Sequence, residues 1–159
     1  SIEAMSDFSQ IFVVGDIHGC HILLKQIHKK ILDKSNNTFG NKLLIYLGDY
    51  IDRVPKIKET IQALLDFQPN NFQQIFLLGN HEQMMLDFIN NVPDSLYLWI
   101  LNGGDETLNS YGIKGTEFFN NEFWNESFST DSFLPTTELT ILLTESIIVR
   151  AAISPPEIT

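Results

Sequence analysis

The chain reads as an α/β protein built on a parallel sheet, and two observations carry that reading. Three short apolar runs, Gln10 to Val14, Lys42 to Leu47 and Gln73 to Leu78, each stop directly at a glycine: Gly15, Gly48 and Gly79. The stretches between them carry apolar residues at helical spacing, and they are long enough for the crossovers that parallel strands need. The expected order is strand–helix–strand–helix–strand with right-handed connections.

The elements follow in turn. The first strand is Gln10 to Val14, expected to be buried. Cys20 to Lys34 reads as a helix whose apolar face is Leu23, Ile27 and Ile31, with Leu24 beside them and lysines opposite. Ser35 to Asn41 has loop composition. After the second strand, Pro55 suits a first helical turn, and Ile57, Ile61, Leu64 and Leu65 form the face of a second helix. Pro69 to Asn71 breaks it before the third strand. Glu82 to Asn90 returns to helix through Met85, Leu86 and Ile89, and Asp94 to Leu101 and Asp105 to Tyr111 read as short helices around Asn102-Gly103-Gly104. Phe118 to Phe133 is aromatic-rich and expected to pack the core edge. Ser146 to Ile153 reads as a last strand. Residues 1–9 are expected to be an N-terminal extension and 10–159 one domain.

Composition bounds the function. The chain has 159 residues, 43% hydrophobic and 19% charged, which fits a soluble globular domain with a real core. No apolar run approaches a membrane span, and the N-terminal stretch lacks the features of a signal peptide. The single cysteine, Cys20, excludes an internal disulfide framework and makes a reducing cytoplasm the expected setting. The net charge of −10 argues against a broad nucleic-acid face. A phosphate substrate remains compatible, because metal cations reverse the potential inside a site.

The chemistry gathers at the three strand ends: Gly-Asp-Ile-His-Gly (Gly15 to Gly19), Gly-Asp-Tyr-Ile-Asp-Arg (Gly48 to Arg53) and Gly-Asn-His-Glu (Gly79 to Glu82). Open α/β sheets place ligands at those ends. Asp16 and His18 lie two apart, so in an extended stretch they point the same way and can share a metal. Asp49 is positioned to bridge two cations. Arg53 offers a planar fork to phosphate oxygens. Asn80 can present its amide oxygen to a metal, while His81 beside it is free for proton transfer, its tautomer set by Asp52. The mixed oxygen and nitrogen donors suit manganese, iron or zinc. Two ions about 3.5–4 Å apart would activate a water and neutralise phosphoryl charge. His21 and His28 read as ordinary helix residues and Cys20 as a small packing residue.

With those motifs, the chain resembles the calcineurin-like metallophosphoesterases, and within them the phosphoprotein phosphatase branch. Gly15 to Cys20, Gly79 to Met85 and Asn102 to Gly112 are most similar to its bacterial and phage members, the lambda-type protein phosphatases and the diadenosine tetraphosphatases. The resemblance implies that family's fold: a parallel strand–helix–strand core with a strand-end metal site, its second sheet incomplete in this chain. It implies one metal held by Asp16, His18 and Asp49, a second begun by Asp49 and Asn80, phosphate bound by Arg53, and His81, supported by Asp52, protonating the leaving group.

Three departures stand out. Arg150-Ala151-Ala152-Ile153-Ser154-Pro155 occupies the place of a metal-ligand His motif, with Arg150 at the His position; an arginine repels a cation there. Val54 replaces a glycine. The family's later His ligand has no counterpart after His81. The leading expectation is a metal-dependent phosphoester hydrolase acting on a phosphoprotein or small phosphoester, with one or two divalent ions, manganese first. The alternatives are a degenerate or truncated pseudo-phosphatase that binds without turnover, and a dinucleoside polyphosphate or other small-molecule phosphoesterase. Arg150 is a further candidate phosphate ligand, standing electrostatically in the second metal's place. Missing strands would leave apolar sheet uncovered, so self-association is also expected.

Overall fold

The computed structural model describes residues 7–113. The stretch Phe118 to Phe133, the strand expected over Ser146 to Ile153, and Arg150 lie outside the described residues. So do residues 1–6 of the expected N-terminal extension.

Within the described residues, three parallel strands form one sheet in the order β1 (Gln10–Val14), β2 (Lys42–Tyr46), β3 (Phe72–Phe76). Helix α1 (His21–Ser35) crosses from β1 to β2, and α2 (Ile57–Asp66) from β2 to β3. Three shorter helices follow: α3 (Asn80–Ile89), α4 (Ser95–Leu101) and α5 (Gly104–Ser110). In register, Val14 lies opposite Tyr46 and Tyr46 opposite Phe76, so one row of side chains crosses the sheet just below the three turns. The Tyr46 and Phe76 rings stack at 4.7 Å. Leu24 and Ile31 of α1 and Ile57, Ile61 and Leu64 of α2 close over this row. Each such side chain contributes about 1.5–3 kcal/mol on burial, which fixes the strand ends that carry the polar turns.

The structure corrects several expectations. The inward face of α1 is Leu24, His28, Ile31 and Ser35; Leu23 and Ile27 are 57% and 38% exposed. The cause is His28. Its Nε2 lies 2.9 Å from the Tyr46 hydroxyl and its ring stacks on Phe67 at 3.7 Å. A histidine with a partner at both edge and face can be buried at little cost, and it turns the helix away from the purely apolar stripe. The first strand is not buried on both faces: Ile11 and Val13 are 38% and 57% exposed, whereas Phe12 and Val14, on the opposite face of the strand, pack into the core. Pro55 precedes α2 rather than opening it, since the chain reaches the helix through Lys56 at φ +96. Finally, α3 begins at Asn80, two residues earlier than the apolar pattern indicates, which puts Asn80, His81 and Glu82 on its first turn.

Candidate functional site

The three turns that follow the strands are laced together by backbone and buried carboxylate. Ile17 and His18 both donate their N–H to the Asp49 carbonyl at 2.9 Å, and Gly19 donates to that of Tyr50 at 3.0 Å. Glu82, wholly buried, reaches back from α3 and accepts four backbone N–H groups. Its Oε2 takes Asp49 at 2.8 Å and Gly79 at 3.0 Å; its Oε1 takes Tyr50 at 2.8 Å and Ile51 at 3.3 Å. Burial raises the Glu82 carboxyl above the usual carboxylate range, and these four donors oppose the shift. Gly79 is the point of closest approach. A Cβ there would collide with the Asp49 carboxylate and backbone and with Glu82, so no larger residue fits.

The loops hold an unusual backbone. His18, Asp49, Asp52 and Arg53 have φ of +42°, +55°, +69° and +71°, a region that non-glycine residues seldom adopt. Such strain persists only where surrounding contacts enforce it, and it clusters at functional sites. Val54 is not among the positive-φ residues. The left-handed turns fall on its neighbours, so valine in place of glycine carries no backbone strain at that position.

Three side chains from the three turns converge: ligand atoms of His18, Asp49 and His81 all lie within 4.8 Å of one another. His18 donates from Nδ1 to the Ile51 carbonyl at 2.7 Å, which leaves Nε2 as an acceptor. That Nε2 is buried and has no hydrogen-bond partner. A buried lone pair without a donor is costly in a protein interior unless something occupies it. Beside a carboxylate, it has the chemistry of a divalent metal ligand. Asp16 stands outside this group; it is exposed and lines a groove of about 410 Å³ with Val13, Ile17, Cys20 and Leu23. The turn through His18 breaks the extended geometry that would align the two side chains. Asn80 is exposed on the first turn of α3.

His81 is fully buried between two partners. Its Nδ1 lies 2.7 Å from Asp52 Oδ2, and its Nε2 lies 3.0 Å from Arg53 Nη2. A guanidinium only donates, so Nε2 presents its lone pair and Nδ1 carries the proton. Asp52 is itself buried and accepts two further hydrogen bonds, from Trp99 Nε1 at 2.9 Å and from the Thr107 hydroxyl at 2.5 Å. Burial pushes the Asp52 carboxyl above its usual range, while Thr107, His81 and Trp99 pull it back. The site residues expected from the sequence within the described range thus fall into two linked groups, His18–Asp49–His81 and Asp52–His81–Arg53, with Asp16 and Asn80 exposed in the same turns. Arg150 lies outside the described residues. Three residues were not anticipated as contributors. Glu82 had a legible signal, an acid three residues after a helix-capping position. Trp99 and Thr107 had none beyond the family-like run around them.

The family model for calcineurin-like phosphoesterases matches residues 9–150, and the chain belongs to that family. Its relatives include serine/threonine-protein phosphatase 1 of Salmonella typhimurium, 35% identical over 105 residues, covering 65% of this chain and 43% of that protein. Serine/threonine-protein phosphatase 2 of the same organism is 38% identical over 97 residues, covering 61% and 39%. The symmetrical bis(5'-nucleosyl)-tetraphosphatase of Wigglesworthia glossinidia brevipalpis is 32% identical over 75 residues, covering 47% and 25%. The chain therefore spans less than half the length of these relatives. Among the described residues no helix is long and apolar enough to cross a membrane.

Proposed function

We propose that this chain hydrolyses phosphomonoesters, of the kind carried by phosphoproteins, with divalent ions held at His18 and Asp49. The carrying observation is twofold: ligand atoms of His18, Asp49 and His81 lie within 4.8 Å of one another, and the Nε2 of that same His18 is buried without a partner. Asp16 and Asn80 lie exposed in the same turns, outside that group, and would have to turn toward it to add oxygen donors; mixed nitrogen and oxygen ligation suits manganese, iron or zinc. Bound there, such ions supply Lewis-acid polarisation of phosphoryl oxygens and a water of lowered pKa.

The chain's own residues do the rest. Arg53 is exposed and single-bonded to His81, so an arriving phosphate draws its fork into a bidentate grip. Nε2 of His81 is then open to carry a proton toward the departing oxygen. Asp52, on the other side of the ring, keeps the imidazole oriented and stabilises its charged form. The protein phosphatases among the relatives support a phosphoprotein substrate, and the tetraphosphatase supports a dinucleoside polyphosphate as the alternative. The lone cysteine fits a cytoplasmic setting.

Phosphate release from p-nitrophenyl phosphate and a phosphoserine peptide, with added Mn²⁺, tests the reading. Asp49→Asn is expected to abolish release, and His81→Asn to lower it by about 10²-fold or more. A folded, Mn²⁺-loaded chain that releases phosphate from neither substrate, nor from a dinucleoside tetraphosphate, would overturn it. The binding-only reading is supported by Arg150, which the family resemblance sets at the position of a metal-ligand histidine. Calorimetric titration separates the two, since one Mn²⁺ per chain without turnover is the binding-only result.

A further inference from the structure

We propose that Trp99 and Thr107 are positioning residues for proton transfer. The α4–α5 hairpin acts as a clamp that holds the Asp52 carboxylate on His81 Nδ1. The inference rests on the hydrolytic reading above and adds two residues to it.

The geometry is specific. Asp52 lies in the turn after β2, whereas Trp99 and Thr107 come from α4 and α5, some 50 residues on, and all three are wholly buried. Trp99 Nε1 donates to Oδ2, the same oxygen that faces His81 Nδ1. Thr107 binds Asp52 twice: its Oγ1 accepts the Asp52 backbone N–H at 3.0 Å and donates to Oδ1 at 2.5 Å. Backbone and carboxylate are thus held by one hydroxyl, which fixes the side-chain torsions of Asp52. Oδ2 is shared by Trp99 and His81 and Oδ1 is held by Thr107, so the carboxylate is fixed at both oxygens and Oδ2 is presented to the imidazole.

The Asn102-Gly103-Gly104 turn explains itself in the same frame. The Gly103 carbonyl accepts the N–H of Arg53 at 3.1 Å. A Cβ on Gly104 would sit 2.6 Å from the Trp99 ring. The two glycines therefore let the hairpin close on Asp52 and Arg53 together. The hairpin touches the dyad from behind and has no hydrogen bond to His81 itself among the described residues, so its contribution is orientation. Orientation errors matter because a proton donor must sit within hydrogen-bond reach of its target.

A general acid matters most when the leaving group is poor. The test compares Thr107→Val, Thr107→Ser and Trp99→Phe in the full chain with Mn²⁺. One substrate is p-nitrophenyl phosphate, whose leaving group departs unaided; the other is a phosphoserine peptide, whose alkoxide does not. The expected result for Thr107→Val and Trp99→Phe is a loss of kcat on the peptide about tenfold larger than on p-nitrophenyl phosphate, with KM little changed. Thr107→Ser, which keeps the hydroxyl, restores the peptide activity. Independently of turnover, the imidazole Nδ1 proton of His81, followed by ¹⁵N-edited NMR on the metal-free chain, should be hydrogen-bonded in wild type and lost to exchange in Thr107→Val. Equal losses on both substrates, failure of serine to rescue, or an unchanged His81 Nδ1 signal would overturn the proposal. If Thr107→Val does not fold, Trp99→Phe, which keeps an aromatic ring and removes the N–H, carries the same comparison. If wild type releases no phosphate at all, the hydrolytic reading falls, and the His81 signal alone decides whether the clamp exists.

Discussion

Replacing Glu82 by glutamine exposes how the site is held. The carboxylate accepts four backbone N–H groups, two on each oxygen. An amide has one oxygen, so in either orientation its NH₂ confronts two donors that it cannot satisfy. Each buried N–H left without an acceptor costs about 1–3 kcal/mol. The variant also removes a buried charge whose desolvation opposes folding. The expected net loss is about 2–4 kcal/mol, a large part of the ~5–15 kcal/mol stability of a domain. Urea unfolding followed by far-UV circular dichroism measures it. The loss is not spread evenly. With Oε2 replaced, Asp49 N and Gly79 N lose their shared acceptor, and the Asp49 carboxylate packs against Gly79 and accepts the His81 N–H at 3.1 Å. Mn²⁺ affinity should therefore fall about 10–100-fold, as when the supports of metal ligands are removed elsewhere. Glu82→Gln with a urea midpoint and Mn²⁺ affinity both equal to wild type would refute the reasoning that this carboxylate ties the second and third turns.

Two further outcomes follow from the same geometry. Gly79→Ala places a methyl against Asp49 and Glu82 and should cost about 1–3 kcal/mol together with Mn²⁺ binding, whereas Gly15→Ala, with nothing within 4 Å of the added methyl, should be neutral; thermal melts of both variants check this. Burial lowers the His28 pKa from 6.5 to about 4, so the unfolded chain binds this proton first as pH falls: the stabilisation is intact above 6.5 and up to about 3 kcal/mol is lost by pH 4. Urea midpoints at pH 7.5 and 5 should diverge less in His28→Gln than in wild type.

What could be read in advance divides along a physical line. The strand–helix order and the three polar turns follow from local signals: apolar runs of strand length, helical spacing, and glycines at strand ends. They hold because each is decided within a few residues. The face of α1 could not be read this way. Counting apolar positions favours Leu23 and Ile27, but the decision belongs to Tyr46 and Phe67, distant in sequence, which accept His28 by hydrogen bond and stacking. The same limit applies to the site. Asp49, Asp52, Arg53 and His81 announce themselves by type and spacing. Trp99 and Thr107 do not, because a tryptophan on an apolar stripe and a threonine in a short helix look like packing until Asp52 is brought beneath them. Reading a motif therefore finds the polar residues of the turns and misses the buried groups that hold them. In this chain, those groups lie in a hairpin whose two glycines, rather than any polar residue, make the approach to Asp52 and Arg53 possible.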